Sequence, residues 1–410
     1  MFSSTGFRID RRSLVAGAAA TFAAPALVRA QTKVLKIGVL LPRSGFLAQA
    51  GQSCYRGALA SAKVLADLGY RVELMQVDTQ STADVARTQA EKAIDAGAQC
   101  IVGAFDSGLT LAIAQVCEQR KTPLVINVAA APQITGQGYK YLVRNFPTGG
   151  ELIANGLRLI KDISATTHVS FTKAVFLHVN DTFGAAMQKG MDALFPKAGL
   201  PFPIVESIGY DPRAQDLSVE ITRVRAANPD LVLVVTHAGD AIKLVREMVR
   251  QRFEPKAIIS PGSPGLYDEE FYQALGPLSN YVIFNLPWAN PKSSMTHALE
   301  ASFKKTNPHN RFAVDSFNAG FTFEALLVAA DAFKRAGTTD GPKLMEAIRA
   351  TNIKDHVMIG GPIAFDAHGQ NQNIGSAVVQ NQHQAPVVVY PADVAAAKPI
   401  LPMPPWQGRK

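Results

Sequence analysis

Val34-Leu35-Lys36-Ile37-Gly38-Val39-Leu40-Leu41, closed by Pro42-Arg43-Ser44-Gly45, is the stretch from which the fold can be read. A short aliphatic run ending in Pro and Gly is a buried strand followed by a turn. The segment from Gln52 to Leu68 has a helical rhythm, Arg71 to Val77 is again strand-like, and Ala83 to Ala96 is helical behind Ser81-Thr82-Ala83-Asp84, a capping-box pattern. Cys100 to Gly103 reads as strand, Leu109 to Arg120 as helix and Leu124 to Val128 as strand. Strands separated by helices are βαβ units, so the sequence predicts a parallel sheet covered by helices on both faces.

The rhythm then restarts. Ala174 to Val179, Ile204 to Ile208, Leu231 to Thr236 and Ala257 to Ser260 read as strands, with helices over Ala185 to Phe195, Gln215 to Ala226 and Ala241 to Arg252 between them. Two α/β series imply two Rossmann-like lobes with central parallel sheets. Asn145-Phe146-Pro147-Thr148-Gly149-Gly150 and Asn285-Leu286-Pro287-Trp288 read as crossings between them. Helices are expected over Met295 to Lys305, Asp315 to Arg335 and Pro342 to Thr351, followed by a Gly-rich return at Ile359-Gly360-Gly361-Pro362. The organisation predicted is an N-terminal lobe of residues 31–146 plus 286–358, a C-terminal lobe of 147–285 plus 359–390, and a Pro-rich tail, 391–410, that wraps or frays.

With 410 residues, 47% hydrophobic and 18% charged, the chain is a packed globular protein long enough for more than one core, which excludes disorder and collagen. Its start reads as an export signal: Asp10-Arg11-Arg12, an uncharged Ala-rich stretch from Ser13 to Val28, and Ala30 before Gln31. The paired arginines are twin-arginine-like, and Sec export fits as well. The stretch is too short and too weakly apolar for a permanent span. Removing residues 1–30 takes away four arginines and one aspartate, which reduces the formal +8 to about +5. With no basic stripe interleaved with aromatics, no nucleic-acid partner is expected. Three cysteines, Cys54, Cys100 and Cys117, allow at most one disulfide and are expected as buried thiols.

Catalytic signatures fail by omission. The eight histidines form no HExxH or other close pair, so no metal is expected. Ser263 lacks the glycine two places earlier that a nucleophile elbow requires. Gly103 and Gly108 are spaced like the ends of a phosphate loop, but Leu109 stands where its lysine belongs. No cofactor is expected. There remains a set of strand-to-helix turns with small or polar residues: Arg43-Ser44, Asp106-Ser107, Ala129-Ala130, Asp181-Thr182-Phe183-Gly184 and Thr236-His237. In open α/β sheets ligands sit beyond the carboxyl ends of strands, beside helix N-termini whose N–H groups favour anions. Each turn also has a plainer reading. Asp106 or Ser107 caps a helix, Phe183 staples one, and His237 is a satisfied buried histidine.

These turns, in this order, resemble the periplasmic leucine/isoleucine/valine-binding family, the solute receptors of branched-chain amino-acid ABC transporters. The resemblance runs from Lys36-Ile37-Gly38-Val39 through Gly103, Ala130-Ala131-Pro132 and Asn180-Asp181-Thr182-Phe183-Gly184 to Asp216-Leu217-Ser218 and Gly361-Pro362-Ile363-Ala364-Phe365-Asp366. It implies the type I periplasmic-binding-protein fold, two lobes on a three-crossover hinge that close on a solute. It also implies a periplasmic monomer whose partners are a small-molecule ligand and an inner-membrane permease with its ATPase subunits.

By position, Ser107 matches a serine that holds the ligand carboxylate, Ala130 falls where a threonine is common, Phe183 and His237 fall at aromatic pocket positions, and Gly262 falls where a glutamate pairs with the α-ammonium. The missing carboxylate at Gly262 matters, because a desolvated ammonium needs a counter-charge. Asp106, Asp240 and Asp315 are the candidate replacements. Arg43, His237, Phe183 and Trp288 suit a carboxylate on a flat apolar body. The site expected comprises Arg43, Ser44, Asp106, Ser107, Ala129, Ala130, Phe183, His237, Gly262 and Trp288. The ligand expected is an amino acid or a related small, even aromatic, carboxylate. The alternative is a periplasmic sensor on the same scaffold, with an enzyme third.

Overall fold

The computed structural model describes residues 34–409, together with Met1 and Phe2, so the export-signal reading lies outside the described residues. The chain opens with β1 (Leu35–Leu41), α1 (Ala48–Asp67), β2 (Val72–Asp78), α2 (Ala83–Asp95), β3 (Cys100–Gly103), α3 (Ser107–Arg120), β4 (Leu124–Ile126), α4 (Gln133–Gly136) and β5 (Leu142–Arg144). The five strands form one parallel sheet in the order β2-β1-β3-β4-β5, a doubly wound arrangement whose order reverses beside β1. The aliphatic runs are wholly buried in β3 and β4, as strands covered on both faces must be.

After β5 come α5 (Gly149–Thr167), β6 (Ala174–Val179), α6 (Thr182–Leu194), β7 (Ile204–Tyr210), α7 (Ser218–Ala227), β8 (Leu231–Val235), α8 (Ala238–Arg250), β9 (Ala257–Ser260), α9 (Glu269–Leu275) and β10 (Ile283–Leu286). Then come α10 (Ser294–Thr306), α11 (Phe312–Ala336), α12 (Gly341–Arg349), β11 (Asn352–Ile353), β12 (Ile363–Ala364), β13 (Ala377–Gln382) and β14 (Ala385–Tyr390). The second sheet runs β14-β13-β10-β9-β8-β6-β7. It is parallel from β10 to β7, and β13 and β14 join it antiparallel.

Helices α10 and α11 return to the first sheet, where α11 packs on α1, β3 and β4. Close approach of α1 and α11 requires glycine: a Cβ on Gly57 would stand 2.4 Å from the Ala319 Cα. Among the described residues α11 is the helix long and apolar enough to cross a membrane, and 94% of its apolar window is buried in the fold.

Several local expectations need correction. Thr82 is the N-cap of α2 without a side-chain cap bond; Ser81 instead donates to the Ser44 carbonyl and accepts the Leu47 N–H. Residues 369–371, read as part of the second lobe, lie at the edge of the first sheet. There Arg144 bridges Gln370, and the Arg144 N–H donates to the Gly369 carbonyl. The Pro-rich tail wraps and does not fray: Trp406 Nε1 donates to the Phe253 carbonyl, and the Arg409 guanidinium lies 3.7 Å over the Trp406 ring. All three cysteines are free and buried, and burial pushes the Cys54 and Cys100 thiols up to about 12.

Candidate ligand-binding site

Three helix N-termini converge at the mouths of the two sheets. Asp106 is the N-cap of α3, its Oδ1 accepting the N–H groups of Gly108 at 2.9 Å and Leu109 at 3.0 Å. Asp181 is the N-cap of α6, accepting the Gly184 N–H at 2.7 Å. His237 precedes α8, and its backbone N–H donates to Asp240 Oδ1 at 3.0 Å. Such caps are each worth about 1 kcal/mol to their helices. The cap and ligand readings of Asp106 therefore do not compete, because only one of its oxygens is used by the helix.

Beside α3, Ser107 Oγ accepts the N–H groups of Ala130 and Ala131, each at 3.2 Å, so its own proton is free to be donated. That Ala129–Ala131 loop is shaped from behind by Arg144. The buried guanidinium donates to the carbonyls of Ala129 at 3.2 Å and Ala131 at 2.7 Å, to Thr135 Oγ1 at 2.9 Å and to Gln370 Oε1 at 2.6 Å. Burial brings Arg144 down to about 10, which still leaves it charged at neutral pH. With the loop's carbonyls drawn back and the Ala130 and Ala131 N–H groups taken by Ser107 Oγ, the Ser107 hydroxyl is the donor presented to the cavity.

A small cavity opens beside this loop. Asp106, Ser107, Ala129 and Ala130 line it from the first sheet's side, with Phe183, His237 and Gly262 from the second. These seven are the expected site residues that the fold brings together. Phe105, Val128, Phe146 and Pro264 complete its apolar wall.

Arg43, Ser44 and Trp288 do not line this cavity. Asp78 at the end of β2 holds the first two, accepting the Arg43 N–H at 2.9 Å and the Ser44 hydroxyl at 2.7 Å. The Arg43 guanidinium stacks 4.7 Å over Tyr55. Trp288 packs into an aromatic cluster, 5.1 Å from Tyr267 and 5.5 Å from Phe284 between ring centroids. Asp240 is occupied by Tyr210 and the His237 N–H, and Asp315 by Ser53 and Arg56. Of the three candidate acids, Asp106 is the one on the cavity wall.

Its companion was missed. Asp181 Oδ2 lies 2.8 Å from His237 Nε2, and ligating atoms of Asp106, Asp181 and His237 all fall within 4.8 Å of one another. Burial alone would pull His237 down, but the Asp181 hydrogen bond and charge outweigh it and push it up to about 9. Asp181 is held below the usual carboxylate range, where His237 outweighs burial. Asp106 is raised, first by burial and then by the Asp181 charge. Two carboxylates thus share one imidazolium, leaving room for one more positive charge. The N-cap pattern Asp181-Thr182-Phe183-Gly184 was the available signal for Asp181, and nothing local announced Phe146 or Pro264.

At Gly262, where a glutamate was expected to be missing, φ is +140° and a Cβ would stand 2.8 Å from the Leu152 Cβ. The backbone leaves no space for any side chain there.

Two sheets of βαβ units bearing a cavity at their strand ends define a two-lobed solute-binding protein. A family model described as periplasmic binding protein matches residues 34–384, and the chain belongs to that family. It is similar to Leu/Ile/Val-binding protein homolog 8 of Brucella abortus, 24% identical over 89% of this chain and 92% of that one. It is also similar to the leucine-, isoleucine-, valine-, threonine- and alanine-binding protein of Pseudomonas aeruginosa, 23% identical over 84% and 89%. Among solved structures it resembles the Streptococcus pneumoniae branched-chain amino acid transporter substrate-binding protein LivJ in complex with isoleucine, with a TM-score of 0.75 at 18% identity over 90% and 100% of the chains. A Rhodopseudomonas palustris ABC-transporter solute-binding protein in complex with benzoate matches with a TM-score of 0.73 at 20% identity over 89% and 98%.

Proposed function

We propose that this protein is the periplasmic receptor of an ABC importer, that it captures a small α-amino acid as a zwitterion by closure of its two lobes, and that it hands the ligand to a membrane permease without turning it over. The observation that carries the reading is the cluster of Asp106, Asp181 and His237. An ammonium seated against the two carboxylates leaves the group electrically balanced, whereas a bare carboxylate adds a negative charge beside them. Ser107 Oγ, which accepts the Ala130 and Ala131 N–H groups, has its own proton to donate to the α-carboxylate. The apolar wall of Phe105, Val128, Phe146 and Phe183 takes the side-chain root.

Export through the N-terminal signal, whether twin-arginine-like or Sec, and action as a monomer belong to the same proposal. So does a lobe division near Asn145, after Leu286 and at residues 372–376, where the chain passes between its two sheets. The relatives' names and complexes span both amino acids and benzoate, so the test sets these classes against each other. Thermal unfolding of the purified protein is followed with α-amino acids, their decarboxylated amines, their deaminated carboxylates, and benzoate. A ligand at 100 times its Kd stabilises by roughly 2.7 kcal/mol. Stabilisation by amino acids but not by the corresponding carboxylates is the expected result. Stabilisation by benzoate and simple carboxylates alone would replace this reading with an organic-acid receptor.

A further inference from the structure

A second compartment continues the ligand cavity. It shares Phe105, His237 and Pro264 with the first, so the two adjoin along those residues. Its far wall carries Asp268. That residue sits at the N-cap of α9 but makes no side-chain cap bond. It is 6% exposed, and among the described residues its carboxylate has neither a hydrogen bond nor an ion pair.

A carboxylate buried to this degree without a partner is costly, and folded proteins rarely retain one. Burial, with the Asp315 charge behind it, pushes this carboxyl up to about 7. The cation whose charge acts most on it, Arg56, is committed to Asp315, donating from Nε at 2.6 Å and from Nη2 at 2.8 Å. His237 is committed to Asp181. No group among the described residues therefore answers Asp268, and the remaining walls, Phe46, Leu47 and Ala50, offer no side-chain donor. Gln49 is the single other polar side chain of the compartment and is uncharged.

We propose that Asp268 is the specificity residue for the far end of the ligand, and that the amino acid captured carries a side chain ending in a cationic N–H donor, an ammonium or guanidinium. This rests on the amino-acid reading of the first compartment. Phe105 and Pro264, which line both pockets, are apolar surfaces suited to the methylene stem of such a side chain, and the Asp268 carboxylate suits its charge. The overall balance agrees: Asp106, Asp181 and Asp268 against His237 leave an excess of negative charge that a ligand of net charge +1 lowers.

The test is calorimetric titration of the purified full-length mature protein with lysine, arginine, norleucine and Nε-acetyl-lysine. Norleucine keeps the stem of lysine and lacks its ammonium; Nε-acetyl-lysine keeps an N–H but no charge. Lysine or arginine is expected to bind roughly tenfold or more tightly than norleucine, with Nε-acetyl-lysine well below them. Asp268→Asn is expected to bring the lysine-to-norleucine ratio to within about threefold of unity. Should that variant not fold, the unmodified protein's ratios decide alone. Norleucine or leucine binding as tightly as lysine would overturn the proposal for Asp268 while leaving the amino-acid reading intact. Binding of carboxylates but of no amino acid would overturn both.

Discussion

His237 Nε2 stands 2.8 Å from Asp181 Oδ2, and His237 lines the cavity together with Asp106. The imidazolium is raised above its unfolded value, so its contribution to stability is complete below about pH 6.5 and fades as pH rises through about 9. Asp181 is depressed, so its share is present above about pH 4 and lost as pH falls further. Asp181→Asn should cost on the order of 1–3 kcal/mol near pH 7, and much less near pH 10. Urea unfolding of both proteins across pH 6–10 measures this. A cost that stays constant over that range would show that the imidazole is neutral.

Asp106 divides its two oxygens between a helix and a cavity. Oδ1 accepts two N–H groups of α3, a role that asparagine's carbonyl oxygen can keep. Asp106→Asn is therefore expected to fold and to lose roughly 10–100-fold in amino-acid affinity, since the negative charge facing the ammonium is gone. Affinity for a plain carboxylate should rise or stay level in the same variant. Parallel titrations with an amino acid and its deaminated analogue check both directions, and equal losses for the two ligands would remove Asp106 from ammonium recognition.

How far this was legible in advance depends on whether the information was local. The strands of both parallel series were readable because burial on two faces demands unbroken aliphatic runs, such as Leu231–Val235. The helix starts at Ser107, Thr182 and Ala238 were placed late, because small polar capping residues look like turn residues until their N–H partners are known. Helix α5 was hidden behind Gly149-Gly150, read as punctuation. In the fold Thr148 and Glu151 form a capping box there, and a Cβ on Gly149 would stand 3.2 Å from Ala186. Strand β13 went unread because Gln380, Asn381 and Gln382 are polar yet buried, satisfied by partners from remote segments such as Ile400 and Leu266. The site shows the same division. Ser107 and His237 followed from position in a turn, whereas Asp268, Phe146 and the diversion of Trp288 into the core depend on contacts across the fold.

Arg144 holds the Ala129–Ala131 loop whose N–H groups set the Ser107 hydroxyl, without lining the cavity itself. Lysine cannot reproduce four simultaneous contacts in fork geometry. Arg144→Lys is expected to destabilise by about 2–4 kcal/mol, since the Ala129 and Ala131 carbonyls and Gln370 lose buried donors. It should also weaken carboxylate-bearing ligands more than tenfold at a temperature where the variant is still folded. Chemical denaturation and titration of the same sample separate the two effects. A destabilised variant with unchanged affinity would confine Arg144 to a role in folding.

Gly262 tests whether the acid can be returned to its family position. The residue is at φ +140°, a region L side chains rarely adopt, and any Cβ would meet the Leu152 Cβ at 2.8 Å and the Met187 Cε at 3.4 Å. Leu152 belongs to α5, so relief of its 2.8 Å contact requires that helix to give, whereas the Met187 Cε contact is an ordinary one. Gly262→Ala is expected to cost about 1–3 kcal/mol, and Gly262→Glu at least as much. The glutamate should bring no gain in amino-acid affinity, because its carboxylate would enter a site where Asp106 and Asp181 already face one imidazolium. Thermal unfolding of both variants with and without ligand reads the two terms. A Gly262→Glu protein that binds amino acids more tightly than its parent would show that the acidic pair does not serve the ammonium.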